Sequence, residues 1–308
     1  MSHLSGTQVH LSRGNQSATI ASVGAALRVY SVGGSDVVVR FREDEVAPAF
    51  HGMVLAPWPN RLADGQYSFG GRDLQVAISE PARNTALHGL ACWDDWAVVQ
   101  ATSDAVTLAL NLPASPGYPF SLRVSVTYAL SDDGLTVTTT ALNTGTAPLP
   151  YGVGFHPWIS PGAGSLDDCT LELGADSLVT VDDRLLPTGT TPVDGDMDFR
   201  HARTLADADL DDAFVDPTRD DDGRSWARLV RGDGSTVAIW MDGAAKAWQV
   251  CTGNHISPES ARRSGVAIEP MSCIADAFRT GDDLVVLEHG ERHTLAWGMA
   301  LIEADASS

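Results

Sequence analysis

Between Leu122 and Leu142 the chain alternates in a way that only β-structure satisfies. Leu122, Val124, Val126, Tyr128 and Leu130 are apolar, and Arg123, Ser125 and Thr127 between them are polar. A strand sends successive side chains to opposite faces, so this period of two predicts a half-buried strand. Ser131-Asp132-Asp133-Gly134 supplies turn chemistry, with Gly where positive φ is needed. Leu135 to Leu142, rich in β-branched Thr and Val, completes a hairpin. Comparable runs predict strands at 18–30, 36–40, 66–69, 96–100, 106–111 and 170–173. Others are expected at 227–230, 236–241, 248–251, 265–269, 283–287 and 293–300. Gly70-Gly71 and Gly232-Asp233-Gly234 read as hairpin turns. Sustained helical periodicity is nearly absent, and 29 Gly and 16 Pro punctuate the chain. The expected fold is therefore all-β, a large antiparallel β-sandwich or barrel. No linker or internal repeat stands out, so residues 1–308 read as one domain.

The net charge of −20 sets the partners. Such a surface repels phosphate backbones and anionic lipid, which disfavours nucleic acid and membrane. The charge-free stretch from Leu135 to Leu166 is too rich in Thr, Gly, Pro and Asn to partition into a bilayer. Met1 to Gly14 is polar and lacks the apolar run of a signal peptide, which leaves the cytoplasm as the expected location. Cys92, Cys169, Cys251 and Cys273 form no C-x-x-C pair and read as reduced, buried thiols.

Nucleotide-binding and serine-hydrolase signatures are missing. Thr218, Asp220 and Asp222 before Gly223 imitate half a calcium loop, but the twelfth position is Leu229 rather than Glu. The segment from Asp194 to Gly223 is the most acidic and irregular, and the run 220–222 reads as a solvated loop. His289 and His293 have a chelating spacing only on a helix, and Gly290 argues for a turn, so no metal or other cofactor is expected.

What remains is a set of ionisable residues beside Gly or Pro in strand-like surroundings. His88 lies in Leu87-His88-Gly89, His156 in Gly154-Phe155-His156-Pro157-Trp158, and Glu269 in Ala267-Ile268-Glu269-Pro270. Two histidines and a carboxylate suit proton transfer on a neutral substrate. Arg61, in a rigid loop with Asn60, Pro57, Trp58 and Pro59, offers a guanidinium to a hydroxyl-rich ligand. Trp58, Trp93, Trp96 and Trp158 lie near these motifs in sequence, and aromatic faces stack on the C–H face of a pyranose.

Together with Asp64-Gly65-Gln66-Tyr67, Tyr118-Pro119-Phe120 and Asp211-Asp212-Ala213-Phe214, these stretches resemble the aldose 1-epimerase (galactose mutarotase) family. Their order matches the family over roughly residues 20 to 300. The resemblance implies a β-supersandwich with an open sugar cleft, acting on a free hexose without a cofactor. It implies Glu269 as general base, a protonated His156 as general acid, and His88 near the ring oxygen. Arg61, Asn60, Asp211 and Trp158 would bind the sugar, with Asp212 as the alternative to Asp211. The chain departs from the family's usual Asn-His-x-Tyr-Phe-Asn around the acid, and has Met271 where a Gln is usual. Two other functions are compatible with the fold: a hexose-6-phosphate 1-epimerase using Arg83, Arg262 and Arg263, and a non-catalytic sugar binder. A glycoside hydrolase using Asp211 and Glu269 is a third.

Overall fold

The computed structural model describes residues 3–304. Met1 and Ser2 of the polar N-terminal segment lie outside it. Two large antiparallel sheets carry the molecule. The first has nine strands, in the order Ala97–Ala101, Ala105–Leu112, Leu122–Ser131, Gly134–Asn143, Arg292–Ile302, Thr236–Met241, Ser225–Val230, Thr170–Leu173 and Arg203–Thr204. The hairpin of Leu122–Ser131 and Gly134–Asn143 lies beside the central strand Arg292–Ile302, with Leu130 opposite Leu135 and Ser131 opposite Gly134. The second sheet runs Pro187–Pro192, Ala175–Val181, Asp211–Pro217, Ala247–Cys251, Val266–Met271, Gly154–Phe155 and Val54–Leu55, with Trp158–Ile159 also on Val266–Met271. A four-stranded sheet spans Gln8–Arg13 to Ser35–Asp36. The α-helix among the described residues is the four-residue Ala277–Thr280. No helix of the described chain is long and apolar enough to cross a membrane.

The core lies between the two large sheets. Val124, Val126, Tyr128, Val137, Ile239 and Trp297 face inward from the first, and Phe214, Trp248, Val250, Val266 and Ile268 from the second. Phe155 and Trp297 meet across the interface with ring centroids 5.3 Å apart. At roughly 25 cal/mol per Å² of apolar surface, this cluster supplies most of the driving force for folding. The strict alternation has a second consequence. Each core residue on Ala247–Cys251 and Val266–Met271 leaves its neighbours, Gln249, Cys251, Ala267 and Glu269, on the outer face.

Three expectations need correction. The predicted strand 18–30 is a hairpin of Gln16–Ala21 and Ala26–Val32. Its turn is set by Gly24, at φ +69°, where an added Cβ would stand 2.5 Å from the Cys92 carbonyl. The predicted strand 36–40 shortens to Ser35–Asp36, and Val38 makes only an isolated bridge to Ile159. The acidic segment 194–223 is not all irregular, since it contains the strand Asp211–Pro217. In that segment the Asp220 carboxylate closes a turn, accepting from the Trp226 indole and the Asp222 and Arg224 amides. His289 lies in a turn and His293 in the strand Arg292–Ile302. All four cysteines are free, and all but the half-buried Cys251 are buried.

Candidate active site

The outer face of the second sheet carries the site, and strand register assembles it. Asp211 is opposite Cys251, and Cys251 opposite Ala267; Ala213 is opposite Gln249, and Gln249 opposite Glu269. Cross-strand partners share a face, so Asp211, Gln249 and Glu269 come together on three adjacent strands. His156 arrives from the segment between Gly154–Phe155 and Trp158–Ile159, which both pair with Val266–Met271. Arg61–Ala63 and Thr85–Leu87 form a two-stranded ribbon that delivers Arg61 and His88 to the same cleft. These elements enclose a cleft of ≈ 160 Å³ that Asn60, Arg61, His88, His156, Asp211 and Glu269 all line. It opens past Arg61, Asp211 and Cys251 into a wider hollow of ≈ 430 Å³. A larger groove of ≈ 470 Å³ over Gln66–Phe69 and Arg72–Gln75 holds none of these residues.

At the centre, His156 Nε2 stands 3.4 Å from Glu269 Oε1. Both residues are buried, at 6% and 2% exposure. Glu269 Oε2 and His156 Nδ1 have no hydrogen-bond partner. Both side chains line the cleft. His88 is fixed differently. The Asn60 amide donates to His88 Nδ1 at 3.2 Å, and the His88 amide donates to the Asn60 carbonyl at 2.8 Å. Accepting at Nδ1 places the ring proton on Nε2, leaving an N–H donor for the cleft. Both residues adopt left-handed backbone, Asn60 at φ 55° and His88 at φ 62°.

Arg61 is held by a fork. Its Nε and Nη2 donate to the two Glu80 oxygens at 2.9 and 3.2 Å, and Nη2 lies 3.6 Å from Asp211 Oδ2. Gln249 Nε2 donates to Asp211 Oδ1 at 2.9 Å. Of the two adjacent aspartates, Asp211 therefore joins the constellation, while Asp212 accepts its neighbour's amide.

Electrostatics follow from burial. Desolvation raises Glu269 well above the usual carboxylate range; the Asp211 charge adds to this and Arg61 opposes it. Desolvation lowers His156 to about 3, with His51 contributing. His88 is driven well below the usual imidazole range by burial, then by His156 and Arg61. Burial also lowers the charged form of Arg61, but Glu80, Asp211 and Glu269 outweigh it and keep the guanidinium charged. Burial thus favours a carboxylic acid and a neutral imidazole over a carboxylate and a protonated histidine. The pair still holds one transferable proton and no net charge.

The tryptophans are less involved than their sequence positions imply. Trp58 and Trp96 are core residues, at 3% and 1% exposure. Trp158 touches the cleft but is 1% exposed and stacks on His51 and His156, at 4.7 and 5.8 Å. Its ring lines the cleft and packs on the ring of His156. Sequence reading also missed Glu80, Gln249, Phe50 and His51. None lies in a distinctive motif; only strand pairing and loop packing bring them in.

Two buried imidazoles and a buried carboxyl converging in one cleft of a β-sandwich can carry proton transfer on a polar ligand. Comparison with known proteins narrows the class. An aldose 1-epimerase family model matches residues 7–299, and the chain belongs to that family. It is 37% identical over 295 residues to the uncharacterized protein YihR of Escherichia coli (strain K12), covering 95% of this chain and 92% of that one. The aldose 1-epimerase of the same organism is 29% identical over 204 residues, 62% of this chain and 57% of that one. Among solved structures, the GalM/aldose epimerase homologue from C. elegans superposes with a TM-score of 0.85 at 20% identity, covering 97% and 99% of the two chains. Galactose 1-epimerase from Lactobacillus acidophilus NCFM gives 0.81 at 18%, covering 96% and 94%. The fold is thus the galactose mutarotase-like β-sandwich, and the family's general activity is carbohydrate epimerisation.

Proposed function

We propose that the protein is an aldose 1-epimerase that interconverts the α and β anomers of a free hexose, in the cytoplasm and without a cofactor. The observation that carries this is the buried, partly unsatisfied Glu269–His156 pair beside His88, whose ring lies 5.3 Å from that of His156. When a sugar fills the cleft, its hydroxyls and Arg61 favour charge separation within the pair. One proton moves from Glu269 to His156 over the 3.4 Å gap, with no net charge change. The carboxylate then takes the C1 hydroxyl proton. The C1–O5 electron pair passes to the ring oxygen, which receives a proton from His156, and C1 becomes an aldehyde. Rotation about C1–C2 and the reverse transfers close the ring on the other face. In this reading His88 donates Nε2–H to the sugar, and Arg61, Asn60 and Asp211 bind hydroxyls.

A neutral hexose is favoured over a phosphosugar because the available arginines are occupied. Arg83 pairs with Glu80, Arg262 with Glu259, and Arg263 with Asp167. The test is polarimetry on freshly dissolved α-D-glucose and α-D-galactose. Wild type accelerates mutarotation, and Glu269→Gln lowers turnover by about 10²–10⁴, as for loss of one acid–base group. A wild type that accelerates neither sugar refutes the reading. If it also binds sugar, it is a non-catalytic binder.

A further inference from the structure

We infer that Phe50 is the aromatic platform on which the pyranose ring rests during the reaction; this rests on the sugar reading above. The cleft lining is mixed. Arg61, Asn60 and Asp211 contribute polar groups, and Phe50 contributes an aromatic ring packed on the two histidines. Its ring centroid lies 4.5 Å from that of His88 and 6.1 Å from that of His156. A pyranose is mixed in the same way, with hydroxyls around its edge and C–H bonds on its faces. No tryptophan fills this role: Trp158, Trp58 and Trp96 are buried, and the exposed Trp93 packs behind Phe50 at 5.2 Å. Phe50 itself remains partly exposed among the cleft residues.

The backbone points the same way. Ala49 and Phe50 are consecutive non-glycine residues with left-handed φ, at 38° and 57°. Strain of this kind persists only where surrounding contacts enforce it, and it clusters at functional sites. Here the contacts come from the histidine segment. The Gly52 amide donates to the His156 carbonyl at 2.8 Å, the His156 amide donates to Met53, and the Trp158 indole donates to the Ala49 carbonyl at 3.0 Å. The segment that carries His156 therefore also fixes the ring of Phe50.

A platform binds ground state and transition state alike, so its loss raises KM and spares kcat. The experiment compares wild type with Phe50→Leu and Phe50→Tyr on α-D-glucose and α-D-galactose. The expected result is a roughly tenfold rise in KM for Phe50→Leu, kcat within about twofold, and near-normal KM for Phe50→Tyr. Ring-current shifts of sugar C–H protons in NMR should appear with wild type and Phe50→Tyr and vanish with Phe50→Leu. A fall in kcat at unchanged KM, or no upfield shift with wild type, overturns the inference and makes Phe50 a support for the histidines. Should Phe50→Leu not fold, the wild-type and Phe50→Tyr spectra decide. If wild type accelerates neither sugar, the functional reading fails first, whereas acceleration with no dependence on Phe50 overturns this inference alone.

Discussion

His156 Nε2 and Glu269 Oε1 lie 3.4 Å apart in a site where burial disfavours charge on both. The pair works only while it holds one transferable proton. Adding a second requires protonating His156, which is lowered to about 3; removing the last requires ionising Glu269, which is raised. The kcat/KM profile should therefore show no acid limb near the ordinary histidine value of about 6.5 and stay flat down to about pH 5. Mutarotation rates corrected for the buffer reaction, with folding followed by circular dichroism, check this. An acid limb centred near 6.5 in folded protein would show that His156 titrates like an exposed imidazole.

Glu80 is the carboxylate that orients Arg61, through two hydrogen bonds of 2.9 and 3.2 Å. It stays ionised despite its burial because Arg61 and Thr85 outweigh desolvation. Glu80→Gln keeps the shape and removes the charge, leaving the guanidinium to lean toward Asp211. The expected outcome is a destabilisation of about 2 kcal/mol, near that of a lost charge-assisted hydrogen bond. Hexose KM should rise roughly tenfold while kcat changes little. Urea unfolding and steady-state kinetics on one preparation measure both.

The fold and the site differed in how far the sequence revealed them. Alternation along Leu122–Leu130 registers directly in the nine-stranded sheet because one face of that strand meets the core. Short motifs rich in Gly and Pro flagged His88, His156, Glu269 and Arg61, since such residues mark places where the backbone turns sharply beside a side chain. Gln249 was silent. It sits in the plain run Ala-Trp-Gln-Val-Cys, and only register with Asp211–Pro217 and Val266–Met271 gives it neighbours. Phe50 and His51 were silent too, because their roles come from loop contacts with residues distant in sequence. Gly24 was read through as part of one strand 18–30, because the close approach of Cys92 and Met53 that fixes its turn is not local in sequence.

His51 is buried beneath Trp158 and titrates at about 4 in the folded chain, lowered from 6.5 mainly by burial. The unfolded chain takes up this proton near pH 6.5. The neutral, folded form thus contributes its full stability above that value and loses it as pH falls through about 4. In between, stability declines by about 1.4 kcal/mol per pH unit for this one group. His51→Phe retains an aromatic ring against Trp158 and removes the titration. The loss of unfolding free energy from pH 6.5 to 5 should then shrink by about 2 kcal/mol. Urea midpoints across this range test it, and parallel curves for the two proteins would assign the acid sensitivity elsewhere.

Arg184 ties the tip of the hairpin Ala175–Val181/Pro187–Pro192 to the cleft wall. Its Nε donates to the Arg83 carbonyl at 2.9 Å, and Nη2 donates to Asp64 Oδ1 at 2.8 Å and the Asn84 carbonyl at 2.9 Å. The guanidinium is one-third exposed, so solvent screens the Asp64 pair and limits its global contribution to about 1 kcal/mol or less. Its effect is local, because the tip has few other anchors and opens by itself when released. Arg184→Ala should speed hydrogen exchange and proteolytic cleavage across Asp182–Leu186 while leaving hexose turnover within about twofold, since Arg184 touches no residue of the proton-transfer pair. Arg184→Lys should restore little, because a single ammonium cannot reach three acceptors spread over the fork. Unchanged exchange in the alanine variant would mean that strand pairing with Ala175–Val181 alone holds the tip.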